Sequence, residues 1–170
     1  MPRFRVVPAE SPVSITAHAT GHDTHAQSLG LTGALVCSFD ERGVARLDAP
    51  WSAGLRLPVE SIRSGNPIQD RVMRGHLDAG RHPNIRVQVT EARPLRRRGW
   101  YRATADITFH GVTRPLTADV AFSHDGDGLR IEGEQRIDMR DFGVQPPRLV
   151  ILRVDAVVRV HVRITARERA

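Results

Sequence analysis

The stretch Tyr101-Arg102-Ala103-Thr104-Ala105-Asp106-Ile107-Thr108-Phe109-His110 decides the fold of this chain. Apolar or small side chains alternate with polar ones along it, a period of two that is typical of a strand with one dry and one wet face. The same alternation resumes from Leu116 to Phe122, after a connection that contains Gly111 and Pro115. The sequence therefore predicts an antiparallel hairpin here.

Further alternating segments lie on both sides of this hairpin. They are Arg3 to Val7, Val13 to Ala17, Leu35 to Phe39, Leu55 to Val59, Ile85 to Val89, Leu129 to Ile137 and Val154 to Ile164. The segment from Thr20 to Leu31 lacks clear periodicity, and we expect a loop there. About eight antiparallel strands favour a mainly β fold, a closed barrel in one domain over residues 1–170, because a βαβ fold needs a helix between most strands.

One helix is predicted, over residues 67–79. Asn66 is a good N-cap, Pro67 occupies the first helical position, and Gly80 is placed for the left-handed conformation that ends a helix. A single helix among strands has to pack on the sheet or close one end of it. Its predicted apolar face consists of Ile68 and Val72, widened by Met73 and Leu77.

The chain is basic, with a formal net charge of +6, and every basic residue is an arginine. An exposed turn at Arg96 to Arg98 could attract phosphates. Exposed aromatic residues for stacking on bases are scarce, which argues against specific nucleic-acid binding. A transient contact with a membrane surface stays open, and so does a homodimer.

The cysteine content and the N-terminal segment bear on the cellular compartment. The single cysteine, Cys37, excludes an intrachain disulfide and fits a reducing environment. Neither a signal peptide nor an apolar run near the roughly 20 residues of a membrane span is visible. We expect a cytoplasmic protein without a transmembrane segment.

Small residues occupy the middle of several predicted dry faces, at Ala17, Ala103, Ala105, Ala118, Gly133 and Ala156. A barrel of eight strands is just wide enough to be filled by side chains or to hold one small ligand. Small central residues would leave a cavity. Alternatively, they mark places where the helix or a barrel corner packs closely, so a filled interior stays open.

Three histidines near the N-terminus form the one cluster with metal-ligand composition: His18, His22 and His25, with Asp23 between them. No H-E-x-x-H or C-x-x-C pattern accompanies them, and neither a nucleophile elbow nor an acid/base pair is identifiable. We predict a non-enzymatic protein without a metal or cofactor. A metal protein or enzyme that uses His18, His22 and His25 is the alternative.

The central hairpin also carries a family resemblance. Its connection, Ile107 to Leu116, resembles the L-T-I-H-G-V-T-R-P-V signature of the YceI-like family, and three more segments resemble family motifs in the family's order: Ser61 to Asn66 with Asp70 and Leu77, Arg81 to Ile85, and Ile137 to Val144. Two positions depart from the family pattern, Glu10 in place of a histidine and Met139 in place of an arginine, and Pro146-Pro147 after the last motif is a further departure. All of them are expected near the pocket mouth.

The resemblance implies a lipocalin-like barrel that binds a polyisoprenoid or another long-chain, fatty-acid-like lipid in an apolar cavity, with its polar head near the open end. His110 is assigned to stabilising its turn. The other reading is a filled barrel that acts in a stress response or in protein interactions. The predicted wall of the cavity consists of Tyr101, Ala103, Ala105, Ile107, Phe109, Val120, Phe122, Leu129, Ile131 and Val158.

Overall fold

The computed structural model describes residues 1–145, 148–149 and 152–169. Its helix is α1 (Pro67–His76), and short 3₁₀ turns lie at Pro8–Glu10, Val59–Ser61 and Met139–Phe142. Its strands are β1 (Arg3–Val6), β2 (Val13–Ala19), β3 (His22–Ser28), β4 (Thr32–Val36), β5 (Ser52–Pro58), β6 (Asn84–Pro94), β7 (Trp100–Phe109), β8 (Val112–Asp125), β9 (Gly128–Asp138), β10 (Arg148–Leu149) and β11 (Leu152–Glu168). The fold is mainly β, as the alternation predicts.

The strands form a closed antiparallel barrel of eight strands with additional strands outside the ring. Consecutive neighbours run β1-β4-β5-β6-β7-β8-β9-β11, and β1 pairs again with β11. Phe4 closes the ring, because it lies opposite Leu35 of β4 on one side and Glu168 of β11 on the other. A closed ring leaves no free edge at this join.

The long strand β11 holds the two ends of the chain together. It pairs with β9 along most of its length, while β2 and then β1 share its other edge. A register shift between Val154 and Val158 marks a bulge on the β2 side. The 3₁₀ turn at Pro8–Glu10 connects the two short N-terminal strands.

One prediction about the strands is wrong and one turn is shorter than expected. Residues 22–28 form β3, which pairs with β2 along its whole length, so most of the predicted loop is an outer hairpin. Because this strand lies outside the barrel wall, it has polar side chains on both faces and shows no alternation in the sequence.

The turn of the central hairpin is His110-Gly111 alone, with φ of 53° and 75°, the left-handed pair that a two-residue turn requires.

The helix begins as predicted, since Asn66 Oδ1 accepts hydrogen bonds from the amides of Ile68 and Gln69. The Met73 and Leu77 part of its predicted apolar face is confirmed, since Leu77 is 7% exposed and Met73 packs against the core, but the Ile68 and Val72 part is wrong. Ile68 is 78% exposed and Val72 is 46% exposed, whereas Asp70 on the other side of the helix is 5% exposed. Packing against the sheet determines which face of the helix is buried, and the spacing of apolar residues in the sequence does not contain this information.

The helix also ends earlier than predicted. Its last residue is His76, Leu77 is the C-cap, and Asp78 takes the left-handed conformation with φ of 52°. Gly80 was predicted for that role. Asp78 tolerates the conformation better than most residues with a side chain.

Two apolar clusters lie inside the fold. The closure cluster lies where the ring closes and contains Phe4, Val6, Val13, Leu31, Leu35, Cys37, Leu57, Ile62, Leu129, Ile164 and Ala166. The plug cluster lies under the end of α1 and contains Val59, Leu77, Ala79, Ile107, Phe109, Phe142 and Val144. The helix therefore contributes to closing one end of the barrel, as its isolation among strands suggests.

Candidate ligand-binding site

The barrel encloses an apolar cavity of about 350 Å³. Its wall includes residues of seven of the eight ring strands, all but β1, and also Val13 and Ile15 of β2, which shares an edge of β11 with β1. The volume lies within the range of small-molecule pockets, which is roughly 300–1,000 Å³. Four of the six small mid-strand residues, Ala103, Ala105, Ala118 and Gly133, line this open interior, whereas Ala17 and Ala156 do not belong to its wall.

Three alanines in register give the cavity its width. Ala92 of β6 lies opposite Ala103 of β7, and Ala103 lies opposite Ala118 of β8. All three belong to the wall. An alanine side chain has one carbon and does not reach the barrel axis. Three alanines on neighbouring strands therefore leave the centre of an eight-stranded barrel unfilled, whereas larger side chains would fill it.

The structure places most of the predicted wall residues around the cavity: Tyr101, Ala103, Ala105, Ile107, Val120, Phe122 and Ile131. The remaining three are buried elsewhere. Phe109 is in the plug cluster, Leu129 is in the closure cluster, and Val158 is buried on β11 opposite Ile137 and Ala17. Alternation identifies the inward face, but not how far along the barrel each residue lies.

Other wall residues were not included in the predicted set. On β5 and β6 they are Leu55, Leu57, Ile85, Val87 and Val89, whose alternation is plain in the sequence and could have identified them. The loop between β4 and β5 contributes Ala45, Leu47 and Trp51. These loop residues have no periodicity, so no pattern in the sequence indicates that they face the cavity.

A seam interrupts the barrel wall between β8 and β9. The ladder between these strands covers Val120–Asp125 and Gly128–Gly133, so residues 112–119 of β8 and 134–138 of β9 extend beyond it. Pro115, which has no N–H to donate, lies in this part of β8. Across the seam, Gln135 Nε2 donates a hydrogen bond to the carbonyl oxygen of Thr117 at 2.7 Å. A side-chain amide therefore replaces backbone pairing there.

The cavity reaches this seam, because Glu134, Gln135, Leu116 and Ala118 all belong to its wall. Glu134 is the single charged residue that the described part of the chain contributes to the wall. Its side chain points outward, away from the cavity, and forms an ion pair with Arg159 on the outer face of the barrel, with Nε and Oε1 3.2 Å apart. The seam thus joins the apolar interior to a polar part of the surface.

Two titratable side chains in the wall show how dry the interior is. Burial raises the pKa of the Cys37 thiol to about 11. Burial, and secondly the negative charge of Asp40, raise the pKa of Tyr101. Both shifts disfavour the charged form, as expected for groups that face a space with few polar partners.

The N-terminal histidines do not converge. His18 Nδ1 lies 2.8 Å from Asp23 Oδ1, a hydrogen bond that raises the pKa of His18, and His25 Nδ1 lies 3.3 Å from Thr16 Oγ1. His22 and His25 are three positions apart in β3, and side chains alternate along a strand, so His22 lies on the opposite face. The three rings therefore do not form one site in this structure.

The sequence model of the YceI-like domain matches residues 4–166 of the chain. The chain belongs to the YceI-like family. Among curated proteins, none matches the sequence. No helix among the described residues is long and apolar enough to cross a membrane.

Solved structures share the YceI-like barrel. BcnA of Burkholderia cenocepacia is 19% identical, with a TM-score of 0.78 over 94% of this chain and 98% of that one. A polyisoprenoid binding domain from Saccharophagus degradans, implicated in plant cell wall breakdown, is 11% identical, with a TM-score of 0.75 over 98% of each chain. The YceI protein of Campylobacter jejuni is 12% identical, with a TM-score of 0.65 over 85% of each chain. At these identities the likeness establishes the fold alone.

Two of the departures from the YceI-like pattern lie away from the cavity wall. Glu10 forms an ion pair with Arg167 on the surface. Met139 packs against the plug cluster. Neither residue belongs to the cavity wall, so their expected position at a pocket mouth does not hold, and Pro146-Pro147 lies outside the described residues.

Proposed function

We propose that this YceI-like protein binds a long-chain amphiphile, a polyisoprenoid or a fatty-acid-like lipid, without transforming it chemically. The observation that carries the proposal is the apolar cavity of about 350 Å³ inside the ring. The polyisoprenoid binding domain from Saccharophagus degradans, whose fold is similar, supports the same class of ligand.

The apolar chain of the ligand lies along the barrel, against the alanines in register. Burial of about ten methylene groups at roughly 0.8 kcal/mol each provides on the order of 8 kcal/mol before the costs of ordering. That gross free energy corresponds to roughly micromolar affinity. No catalytic group is required for this function, and the Glu134 carboxylate lies on the outer face, where it is paired with Arg159.

The polar head of the ligand lies at the seam. Apolar walls cannot replace the hydration of a phosphate or carboxylate, so the head has to stay where water or polar groups reach it. The seam offers the side-chain amide of Gln135. Entry through the seam requires that the Gln135–Thr117 hydrogen bond breaks and that the neighbouring side chains move apart, whereas backbone pairing has already ended there.

Native mass spectrometry of the purified protein, followed by organic extraction, tests the proposal. We expect a long-chain adduct at one molecule per chain, either as purified or after incubation with polyprenyl phosphate or a fatty acid. A protein that stays free of adduct under both conditions would refute lipid binding, and a filled-barrel interaction module would then be the better function.

A pair of variants locates the ligand. Ala105→Phe places a large side chain inside the cavity, whereas Asp106→Phe places the same side chain on the exposed outer face of β7. We expect Ala105→Phe to weaken binding of a fluorescent fatty acid at least roughly tenfold, since one excluded pair of methylenes already costs about 1.6 kcal/mol. Equal binding by both variants would show that the lipid lies outside the barrel.

A further inference from the structure

A second cluster of potential ligands, separate from the cavity, lies at the plug end of the barrel. One donor atom from each of Asp78, His82 and His110 lies within 4.8 Å of the others. The rings of His82 and His110 have centroids 5.1 Å apart and are inclined by 58°. These residues come from the loop after α1 and from the turn between β7 and β8, far apart in sequence.

Backbone geometry holds Asp78 and His82 together. The carbonyl oxygen of Asp78 accepts hydrogen bonds from the amides of Arg81, at 3.1 Å, and His82, at 2.8 Å. This turn directs both side chains to one place. The Arg81 guanidinium lies 3.9 Å from one carboxylate oxygen of Asp78, and its side chain is 83% exposed, so this pair is weak.

A hydrogen bond to the backbone fixes the tautomer of His110. Its Nδ1 lies 3.2 Å from the carbonyl oxygen of Phe142. A carbonyl oxygen only accepts, so Nδ1 carries the proton and the lone pair of the neutral ring is on Nε2. Metal-binding histidines typically use their second nitrogen in this way, to fix the tautomer and the ring orientation.

The turn leaves room for the partner ring. A Cβ atom built on Gly111 would come within 2.9 Å of His82 Cε1, so the glycine allows His82 to approach the turn. Asp78 and His110 are the two non-glycine residues with positive φ in the described part of the chain. Both elements thus adopt unusual backbone conformations where they bring the three side chains together.

We propose that Asp78, His82 and His110 bind a divalent transition-metal ion, of which Zn²⁺ fits the donors best. Two imidazoles and one carboxylate are a common protein ligand set for zinc with an open position, which water would occupy. All three side chains are partly exposed, so the ion can enter from solvent. The bound ion would connect the loop after α1 to the turn of the central hairpin.

The test is titration of metal-free, untagged protein with Zn²⁺ by calorimetry and with Co²⁺ by visible absorption. We expect binding of one ion per chain, a Co²⁺ spectrum typical of four- or five-coordination by nitrogen and oxygen, and a melting temperature that rises with zinc concentration. The absence of one-to-one binding would overturn the proposal.

Matched variants identify the ligands. Asp78→Asn keeps a residue that tolerates the left-handed backbone but removes the carboxylate, and His82→Ala removes one imidazole. Each should weaken zinc binding at least about tenfold and change the Co²⁺ spectrum. These two variants avoid His110, whose loss could disturb the hairpin turn itself.

The double variant His18→Ala/His25→Ala is the control, because it removes two histidines from the other cluster on β2 and β3. We expect it to bind zinc as the unmodified protein does. If this variant loses the metal while Asp78→Asn and His82→Ala keep it, the proposed site is wrong and the N-terminal histidines are the ligands. Lipid binding is measured separately, so neither result depends on the cavity.

Discussion

The two ends of the barrel interior use similar apolar residues and reach opposite results. At the plug end, Phe109 and Phe142 pack with ring centroids 5.6 Å apart, and both side chains are at most 8% exposed. Around the cavity, Tyr101 and Phe122 also meet, at 5.7 Å, but Phe122 is only partly buried. The comparison teaches that large side chains fill a barrel only where other elements close its end. Here α1 and the Met139–Phe142 turn do so.

The largest expected effect comes from truncating one phenylalanine in each region. Phe142→Ala should lower the free energy of unfolding by about 3–5 kcal/mol, because it leaves a void among packed neighbours. Phe122→Ala should cost roughly half as much, since part of that ring already faces empty space and has no contact to lose there. Urea denaturation monitored by fluorescence measures both.

This pair also shows how the comparison could fail. Equal losses of stability would mean that the cavity wall is packed as tightly as the plug cluster. In that case the cavity of about 350 Å³ is not open in solution. Saturating lipid should then leave the free energy of unfolding of both variants unchanged. If the cavity is open, lipid should instead raise the free energy of unfolding.

A smaller effect is expected where the helix is attached to the plug end. Burial alone would raise the pKa of Asp70, but the Ser64 hydroxyl and amide donate hydrogen bonds to its Oδ1, at 2.5 and 2.9 Å, and the pKa is lowered overall. Asp70→Asn should therefore cost about 1–2 kcal/mol at pH 7. A carboxylate with a lowered pKa stabilises the fold above its unfolded pKa of about 3.9, and this stabilisation is lost as pH falls through the folded pKa.

Urea denaturation of the unmodified protein and of the Asp70→Asn variant, at several pH values between 7 and 3, measures this effect. The difference in unfolding free energy between them should stay constant down to about pH 4.5 and shrink below that. A difference that grows on acidification would show that the pKa of Asp70 is raised, with burial outweighing the hydrogen bonds from Ser64. The helix would then be attached mainly by Leu77 and Met73.

The smallest expected effect concerns reactivity rather than stability. Cys37 lies in the cavity wall, and its pKa of about 11 leaves on the order of 100-fold less thiolate at neutral pH than an ordinary cysteine has. We expect slow alkylation by iodoacetamide that slows further when lipid fills the cavity. Mass spectrometry of the time course measures both rates. Rapid alkylation unaffected by lipid would place the thiol outside a dry interior.

Much of the fold follows from the sequence, for a local reason. Side chains on a strand alternate in direction, so Tyr101, Ala103 and Ala105 share the inward face whatever surrounds them. The same rule identifies both strands of the central hairpin, and the N-cap at Asn66 depends on atoms only a few residues away. The family motifs indicate the YceI-like barrel.

Other features depend on which elements meet, and sequence patterns do not record that. The exposed side of α1 at Ile68, the inclusion of Trp51 in the wall and the burial of Phe109 at the plug end all depend on neighbours distant in the chain. The sequence by itself determined the strands, their inward faces and the family. Only the tertiary structure decided the ring closure, the seam and the meeting of Asp78, His82 and His110, because these require segments far apart in sequence to come together in space.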